Sequence, residues 1–288
     1  MSKNVVIIGG GPAGISAALY TARAGIDTLV IENGARALEK AEKIENYYGF
    51  ENGISGKELY ESGLLQAKNV GVKTVTAEVV GLSFEDKFRV TTTAGEYLAD
   101  SVIIATGASR NKPKIENIDK FEGSGISYCA VCDGFFFRGK DVAVLGSGEY
   151  AMHEASVLLP FAASVTVLTD GSDLSASLPD GIKVNTSKIK AASGETVLEK
   201  VVFEDNRALD ISGLFIALGT AGGADIAKKI GVITNGNSVV VNEDMATNIP
   251  GIFAAGDATG GILQIAKAVY QGMLSGFSAI KFLKNDHS

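Results

Sequence analysis

The only two cysteines of the chain stand three residues apart, in Cys129-Ala130-Val131-Cys132. Thiols at this spacing can close a disulfide and reopen as a dithiol, the more readily beside a helix start, where a thiolate is favoured. Two buried, inert cysteines are the plainer alternative. With no further cysteine, one chain cannot assemble a four-thiolate zinc or iron–sulfur site. Asp133 adjoins the pair and can relay a proton to a thiolate. Histidine is limited to His153 and His287, so neither a zinc enzyme nor a histidine triad is expected and no metal ligand is assigned. His153 falls inside a helix and reads as a packing residue without a catalytic role.

Glycine carries a second chemistry. Gly9, Gly11 and Gly14 form a G-x-G-x-x-G turn straight after the strand Val5-Val6-Ile7-Ile8, at the start of an alanine-rich helix that opens on Pro12 and Ala13. Gly9 permits the tight turn, Gly11 lets the backbone approach a pyrophosphate, and Gly14 lets helix and strand pack closely. The helix N-terminus offers unpaired N–H groups and a favourable dipole to phosphates. Glu32 closes the next strand, where a carboxylate can accept hydrogen bonds from a ribose 2′-OH. An empty glycine-rich turn is the alternative. A second turn, Gly146-Ser147-Gly148-Glu149-Tyr150-Ala151, is followed by an acidic position at Asp170. Glu149 suits the helix dipole of an empty site but would repel a pyrophosphate, so this turn reads either as a nucleotide site or as a scaffold without a ligand. Tyr47 and Tyr48 either line a cofactor pocket or pack as core.

The elements that must position these residues repeat one plan. A strand, the first glycine turn, a helix to about Ala24 and the strand Thr28–Ile31 make a parallel β-α-β unit. Strands are expected over 72–105, the last ending in Thr106-Gly107. After Pro113 and a polar linker, Asp141–Leu145, a helix to about Leu159 and Ser164–Leu168 make a second β-α-β unit. Late segments, Ile252–Ala255 before Gly256-Asp257-Ala258 and a helix from about Leu263 to Leu283, return to the first unit. The chain of 288 residues is long enough for two domains. Its 46% apolar and 20% charged residues exclude a disordered or fibrous chain. A net charge of −7 without a basic cluster speaks against nucleic acid. The start, Met1-Ser2-Lys3-Asn4, shows no signal-peptide pattern, and the longest apolar runs are too short to cross a bilayer. A soluble, cytoplasmic protein with no membrane partner is expected.

Taken together, these segments resemble the low-molecular-weight flavin-containing thioredoxin reductases over essentially the whole chain. The resemblance is carried by Ile7-Ile8-Gly9-Gly10-Gly11-Pro12-Ala13-Gly14, Glu45-Asn46-Tyr47-Tyr48-Gly49-Phe50, Ala105-Thr106-Gly107-Ala108, Cys129-Ala130-Val131-Cys132-Asp133-Gly134-Phe135-Phe136, and Gly256-Asp257-Ala258 with Gln264-Ile265-Ala266. It implies an α/β fold of two Rossmann-like, three-layer nucleotide-binding domains. A discontinuous FAD domain would span 1–112 and 242–288. A smaller redox domain would span 113–241, with hinges near 113–117 and 241–245. It implies FAD held by Gly9, Gly11, Pro12, Ala13, Gly14, Glu32, Asn46, Ala105, Thr106, Gly107, Gly256, Asp257, Gln264 and Ile265. It also implies a Cys129–Cys132 disulfide, with Cys132 facing the flavin, Cys129 attacking the disulfide of thioredoxin, Asp133 as proton donor, and a homodimer.

The departures from that family concern the electron donor. NADPH-using members carry a His-Arg-Arg run and a further arginine after the strand that here ends at Leu168, where these cations pair with the 2′-phosphate. This chain reads Thr169-Asp170-Gly171-Ser172-Asp173, and the bidentate donors that recognise phosphate are missing. The stretch 171–205 is shorter, and Gly219-Thr220-Ala221-Gly222-Gly223 stands where relatives show Gly-x-x-Pro-Asn. The pattern is similar to the divergent branch reduced by ferredoxin. The reading is therefore a reductase that passes electrons from ferredoxin through FAD and the dithiol to thioredoxin. An NADH- or NADPH-dependent thioredoxin reductase is the first alternative, with Asp170 binding an unphosphorylated ribose. A non-enzymatic flavin redox sensor is the second.

Overall fold

Short β-branched runs become strands wherever a glycine or a polar turn ends them. The computed structural model describes residues 3–34, 38, 41–108, 113–219 and 221–285. Met1, Ser2, Thr220 and His287 lie outside the described residues. The first half runs β1 (Asn4–Ile8), α1 (Pro12–Arg23), β2 (Asp27–Glu32), α2 (Gly56–Asn69), β3 (Lys73–Thr76), β4 (Val79–Phe84), β5 (Phe88–Thr92), β6 (Gly95–Ala99) and β7 (Ser101–Ile104). Next come β8 (Ile126–Ser127), α3 (Ala130–Asp133), β9 (Asp141–Leu145), α4 (Glu149–Leu158), β10 (Ser164–Leu168), β11 (Lys183–Asn185), β12 (Ile189–Ser193), β13 (Lys200–Phe203), β14 (Ala208–Asp210) and β15 (Gly213–Ile216). The chain closes with α5 (Gly223–Lys228), β16 (Thr234–Asn235), β17 (Ser238–Val239), β18 (Ile252–Ala254) and α6 (Ile265–Asn285).

These elements form two compact units, one of residues 1–109 with 222–288 and the other of residues 110–221. The sequence reading assigned 222–241 to the second domain, but here these residues pack with the first unit. The reason is local: α5 packs against β4 and β17, and Gly223 abuts Thr106 so closely that a Cβ would lie 2.6 Å from the Thr106 hydroxyl.

In the first unit a parallel sheet has the order β18-β7-β1-β2-β3. Strands β18, β7 and β1 are buried on both faces, as sheets covered on both sides require, while the edge strand β3 is largely exposed. Val5, Ile7, Val30 and Ile103 are fully buried in one cluster with α1 and α6. Helices α1 and α6 approach closely because α6 offers Gly272 and Gly276 to the backbone carbonyls of Ala13 and Ala17. A three-stranded antiparallel sheet, β4-β5-β6, and a two-stranded one, β16-β17, complete this unit among the sheets described. The second unit repeats the plan, with a parallel sheet of order β11-β10-β9-β15-β8 and an antiparallel sheet β12-β13-β14. Leu145, Leu168 and Leu214 are fully buried in its core.

Both parallel sheets have a switch point, at β1/β7 and at β9/β15, where the connections leave in opposite directions. Ligands of doubly wound sheets bind outside the carboxyl ends of the strands at such a switch point. The topology therefore selects one site per unit: Gly9 with Ala105–Gly107 in the first, and Gly146 with Ala217–Gly219 in the second.

Candidate active site

At the switch point of the first unit, Gly9 N–H donates to the Ile31 carbonyl (2.8 Å) and Ala105 N–H to the Ile8 carbonyl (2.8 Å). Gly9 sits at φ +115°, and a Cβ there would strike the Ala105 carbonyl. A Cβ on Gly14 would strike the Gly9 carbonyl, which fixes the close approach of α1 to β1. Gly11, the N-cap of α1, differs: a Cβ would meet nothing within 4 Å. Space is thus kept open where a pyrophosphate would approach the N–H groups of α1, next to Pro12 at its first position. A cavity of about 290 Å³ opens beside this turn, lined among others by Gly11, Pro12, Ser16, Tyr60 and Ile265.

Glu32 ends β2 with 8% exposure. Its carboxylate accepts from Tyr60 (2.5 Å), from the Gly34 N–H (2.9 Å) and from the Thr76 hydroxyl. Burial pushes the carboxyl up, but the hydrogen bonds from Thr76, Tyr60 and Gly34 together outweigh it and hold the group below its ordinary value. Glu32 is therefore a pre-oriented anion with lone pairs left to accept a ribose hydroxyl. Tyr60 and Thr76 arrive from α2 and β3 and carry no motif that marks them for this role.

The remaining expected cofactor residues converge on the same end of the sheet. Asn46 Nδ2 donates to Gln264 Oε1 (3.1 Å), tying the loop after Ile44 to the start of α6 at Ile265. Thr106 Oγ1 and Asp257 Oδ1 are buried side-chain oxygens without a hydrogen-bond partner among the described residues. Buried polar atoms are seldom left so unless a ligand completes them. Burial pushes the Asp257 carboxyl up, against the opposing pull of Lys267. Gly107 and Gly256 adopt positive φ, +80° and +74°. Tyr47 is half-buried and stacks on Phe50 (6.0 Å between centroids), whereas Tyr48 is 98% exposed and belongs to no core.

In the second unit Cys129 and Cys132 are joined by a disulfide, with Cα atoms 5.3 Å apart. Cys129 is the N-cap of α3, and its Sγ accepts from the Cys132 N–H (3.2 Å). Cys129 is buried and Cys132 is exposed. Asp133 accepts from Ser127 Oγ (2.6 Å), and the same Ser127 oxygen accepts from the Cys129 N–H (3.1 Å). Ser127 thereby links the acid to the disulfide. Glu154, 1% exposed on α4, accepts from the Ala130 N–H (2.8 Å) and anchors the other side of α3. Around the disulfide, Val131, Phe135 and Phe136 are 54%, 64% and 71% exposed. Neither Ser127 nor Glu154 was identifiable from spacing, since both come from neighbouring elements.

The second switch point is built differently. Ser175 lies on the glycine turn, its N–H and Oγ both donating to the Ser147 carbonyl (2.9 and 3.1 Å). A Cβ on Gly148 would come within 3.5 Å of that Ser175 hydroxyl. Glu149, exposed, occupies the first position of α4. Asp170, at φ +50°, does not stand free at the end of β10, because its Oδ1 accepts from the Ile189 N–H (2.6 Å). Segment 169–182 holds three aspartates and no lysine or arginine.

The family model for pyridine nucleotide-disulphide oxidoreductases matches residues 3–272. The thioredoxin reductase of Aquifex aeolicus is 35% identical over 97% of this chain and 93% of its own. The chain is a member of the thioredoxin reductase family. This thioredoxin reductase is thus a flavoenzyme whose cofactor is FAD, and its cysteine pair is a redox-active disulfide. It is also similar to the crystal structure of the atypical thioredoxin reductase TRi of Desulfovibrio vulgaris Hildenborough, with 44% identity, TM-score 0.93 and 99% of each chain covered. A ferredoxin-flavin thioredoxin reductase of Clostridium acetobutylicum is 31% identical over 98% of each chain, with TM-score 0.74. The residues of the first unit fit a flavin dinucleotide: the opening at Gly11, the oriented Glu32 carboxylate, and the unpartnered oxygens of Thr106 and Asp257 are the features such a group requires.

Proposed function

We propose that this thioredoxin reductase takes its electrons from reduced ferredoxin and delivers them, through FAD and the Cys129–Cys132 dithiol, to the disulfide of thioredoxin. The observation that carries the choice of donor is the second glycine turn. Ser175 packs on it, Glu149 stands at its helix start, and no cation in 169–182 can meet a 2′-phosphate. Asp170 is engaged with the backbone of β12 rather than presented to a ribose, which speaks equally against NADH. The similarity to a ferredoxin-flavin enzyme points the same way.

FAD, when bound, accepts electrons that arrive singly and releases them as a pair. The first unit binds and orients it. Gly9, Gly11, Pro12, Ala13 and Gly14 would hold the pyrophosphate at the N-terminus of α1, and Glu32 would hold the adenosine ribose. Asn46, Ala105, Thr106, Gly107, Gly256, Asp257, Gln264 and Ile265 would hold the remainder. In the second unit Cys132 is, by the family resemblance, the sulfur that would take electrons from the flavin. Cys129 is the thiolate that attacks thioredoxin once exposed, forming a mixed disulfide that Cys132 then breaks. Asp133, held by Ser127, supplies the proton. The exposed rim of Val131, Phe135 and Phe136 is an apolar patch of the kind that receives a protein partner.

Among the described residues no helix is long and apolar enough to cross a membrane; we place the enzyme in the cytoplasm. A homodimer is proposed from the exposed apolar side chains Tyr20, Leu65, Tyr270 and Phe277 on α1, α2 and α6. The assay that tests the function is steady-state reduction of thioredoxin under anaerobic conditions with reduced ferredoxin, NADPH or NADH as sole donor. Turnover with ferredoxin alone is expected. Equal turnover with either pyridine nucleotide contradicts the reading.

A further inference from the structure

Lys267 is in the wrong place for a structural lysine. It occupies the first turn of α6, a helix of 21 residues with no acidic residue in that turn. A cation at a helix N-terminus opposes the macrodipole, a conflict that a surface lysine would avoid. Its ammonium is turned back into the unit instead of out to water. Nζ donates to the Gly256 carbonyl (2.9 Å) and to the Gly260 carbonyl (2.5 Å). Both carbonyls belong to the turn that carries Asp257, and both glycines have positive φ, +74° and +73°. Gln271, one turn further along α6, grips the same turn: its Oε1 accepts from the Gly256 N–H (3.0 Å) and from Thr259 Oγ1 (3.0 Å).

Both side chains hold the turn by hydrogen bonds, and Gln271 does so without a charge. What Lys267 adds is charge. Asp257 is half-buried, with one oxygen lacking any partner among the described residues. Burial raises the Asp257 carboxyl and lowers the Lys267 ammonium, and each charge partly offsets the shift of the other. The two are an electrostatic pair without a direct salt bridge, which leaves an Asp257 oxygen available to a ligand.

We propose that Lys267 is a positioning residue of the flavin site: its ammonium fixes the 256–260 turn and supplies the positive charge that keeps Asp257 ready to accept from FAD and sets the flavin's reduction potential. The inference rests on FAD occupying the first unit. Positive charge beside a flavin favours the more negative, reduced form, so removing it weakens binding of the oxidised form and of the reduced form still more.

The test uses the full chain stripped of flavin and titrated with FAD, followed by anaerobic spectroelectrochemistry of the reloaded protein. Lys267→Gln keeps a donor but loses the charge, whereas Lys267→Arg keeps the charge. Lys267→Gln is expected to weaken FAD binding by about tenfold or more, as for a half-buried carboxylate deprived of its counter-charge, and to lower the midpoint potential. Lys267→Arg should restore both. In an Asp257→Asn background Lys267→Gln should lose far less affinity, because the charge it serves is gone. Equal losses in both backgrounds with an unchanged midpoint potential would reduce Lys267 to a brace of the turn and overturn the proposal. A parent chain that takes up no FAD would instead refute the flavin site itself.

Discussion

Removing the Tyr60 hydroxyl tests whether Glu32 is an engineered anion or merely a buried side chain. Tyr60→Phe deletes the donor 2.5 Å from Glu32 Oε2, while Gly34 N–H still reaches that oxygen and Thr76 reaches the other. A hydrogen bond to a charged group is worth about 1.5–3 kcal/mol. With Gly34 compensating in part, the expected loss is about 1–2 kcal/mol, or a fall in Tm of roughly 2–8 °C for a protein of this size. The pH dependence gives the sharper signature. Glu32 is held below its ordinary value, so its contribution is present above the unfolded glutamate value and disappears as pH falls through the lowered folded one. Tyr60→Phe moves the folded value back up. The gap in Tm between parent and variant should therefore be widest at neutral pH and should narrow only at acid pH, as pH falls through the lowered folded value and the carboxyl takes up a proton in both. Thermal unfolding of the flavin-free chain followed by circular dichroism reads both. A gap that is absent at neutral pH, or identical at neutral and acid pH, refutes the argument.

Two glycines three residues apart should respond in opposite ways. Gly11→Val meets no protein atom within 4 Å of its new Cβ, so the chain should fold with little loss of stability and yet emerge colourless; Gly14→Ala drives a methyl into the Gly9 carbonyl and should lower Tm itself. A yellow Gly11→Val protein with parental FAD content contradicts the pyrophosphate assignment. For the cysteines, Cys132→Ser should let Cys129 capture thioredoxin as a mixed disulfide visible on a non-reducing gel, since no resolving thiol remains. A Cys129→Ser, Cys132→Ser double variant that still reduces thioredoxin at the parental rate would remove the dithiol from the mechanism.

The glycine turns, the cysteine pair and the alternation of strand and helix were legible because each is written in a few contiguous residues: Gly9 through Gly14 carry their own turn, helix start and packing requirement. The assignment of 222–241 was not, because α5 and β17 are too short to show a period and are held by contacts with β4 and Thr106, far away in sequence. The same distance hid Tyr60, Thr76, Ser127, Glu154 and Lys267. None has a motif, and each acts by what it touches. Asp170 shows the converse. Its position after β10 suggested a ribose ligand, but a left-handed turn directs its carboxylate to Ile189, and sequence position does not reveal a backbone angle.

The central claim is the identity of the electron donor, and stopped-flow spectroscopy of the oxidised holoenzyme under anaerobic conditions tests it most directly. Loss of flavin absorbance on mixing with reduced ferredoxin should be at least as fast as thioredoxin turnover, and mixing with NADPH or NADH should leave the flavin oxidised on that time scale. Rapid bleaching by NADPH, at a rate matching turnover, would contradict the account despite Glu149, Ser175 and the cation-free segment 169–182.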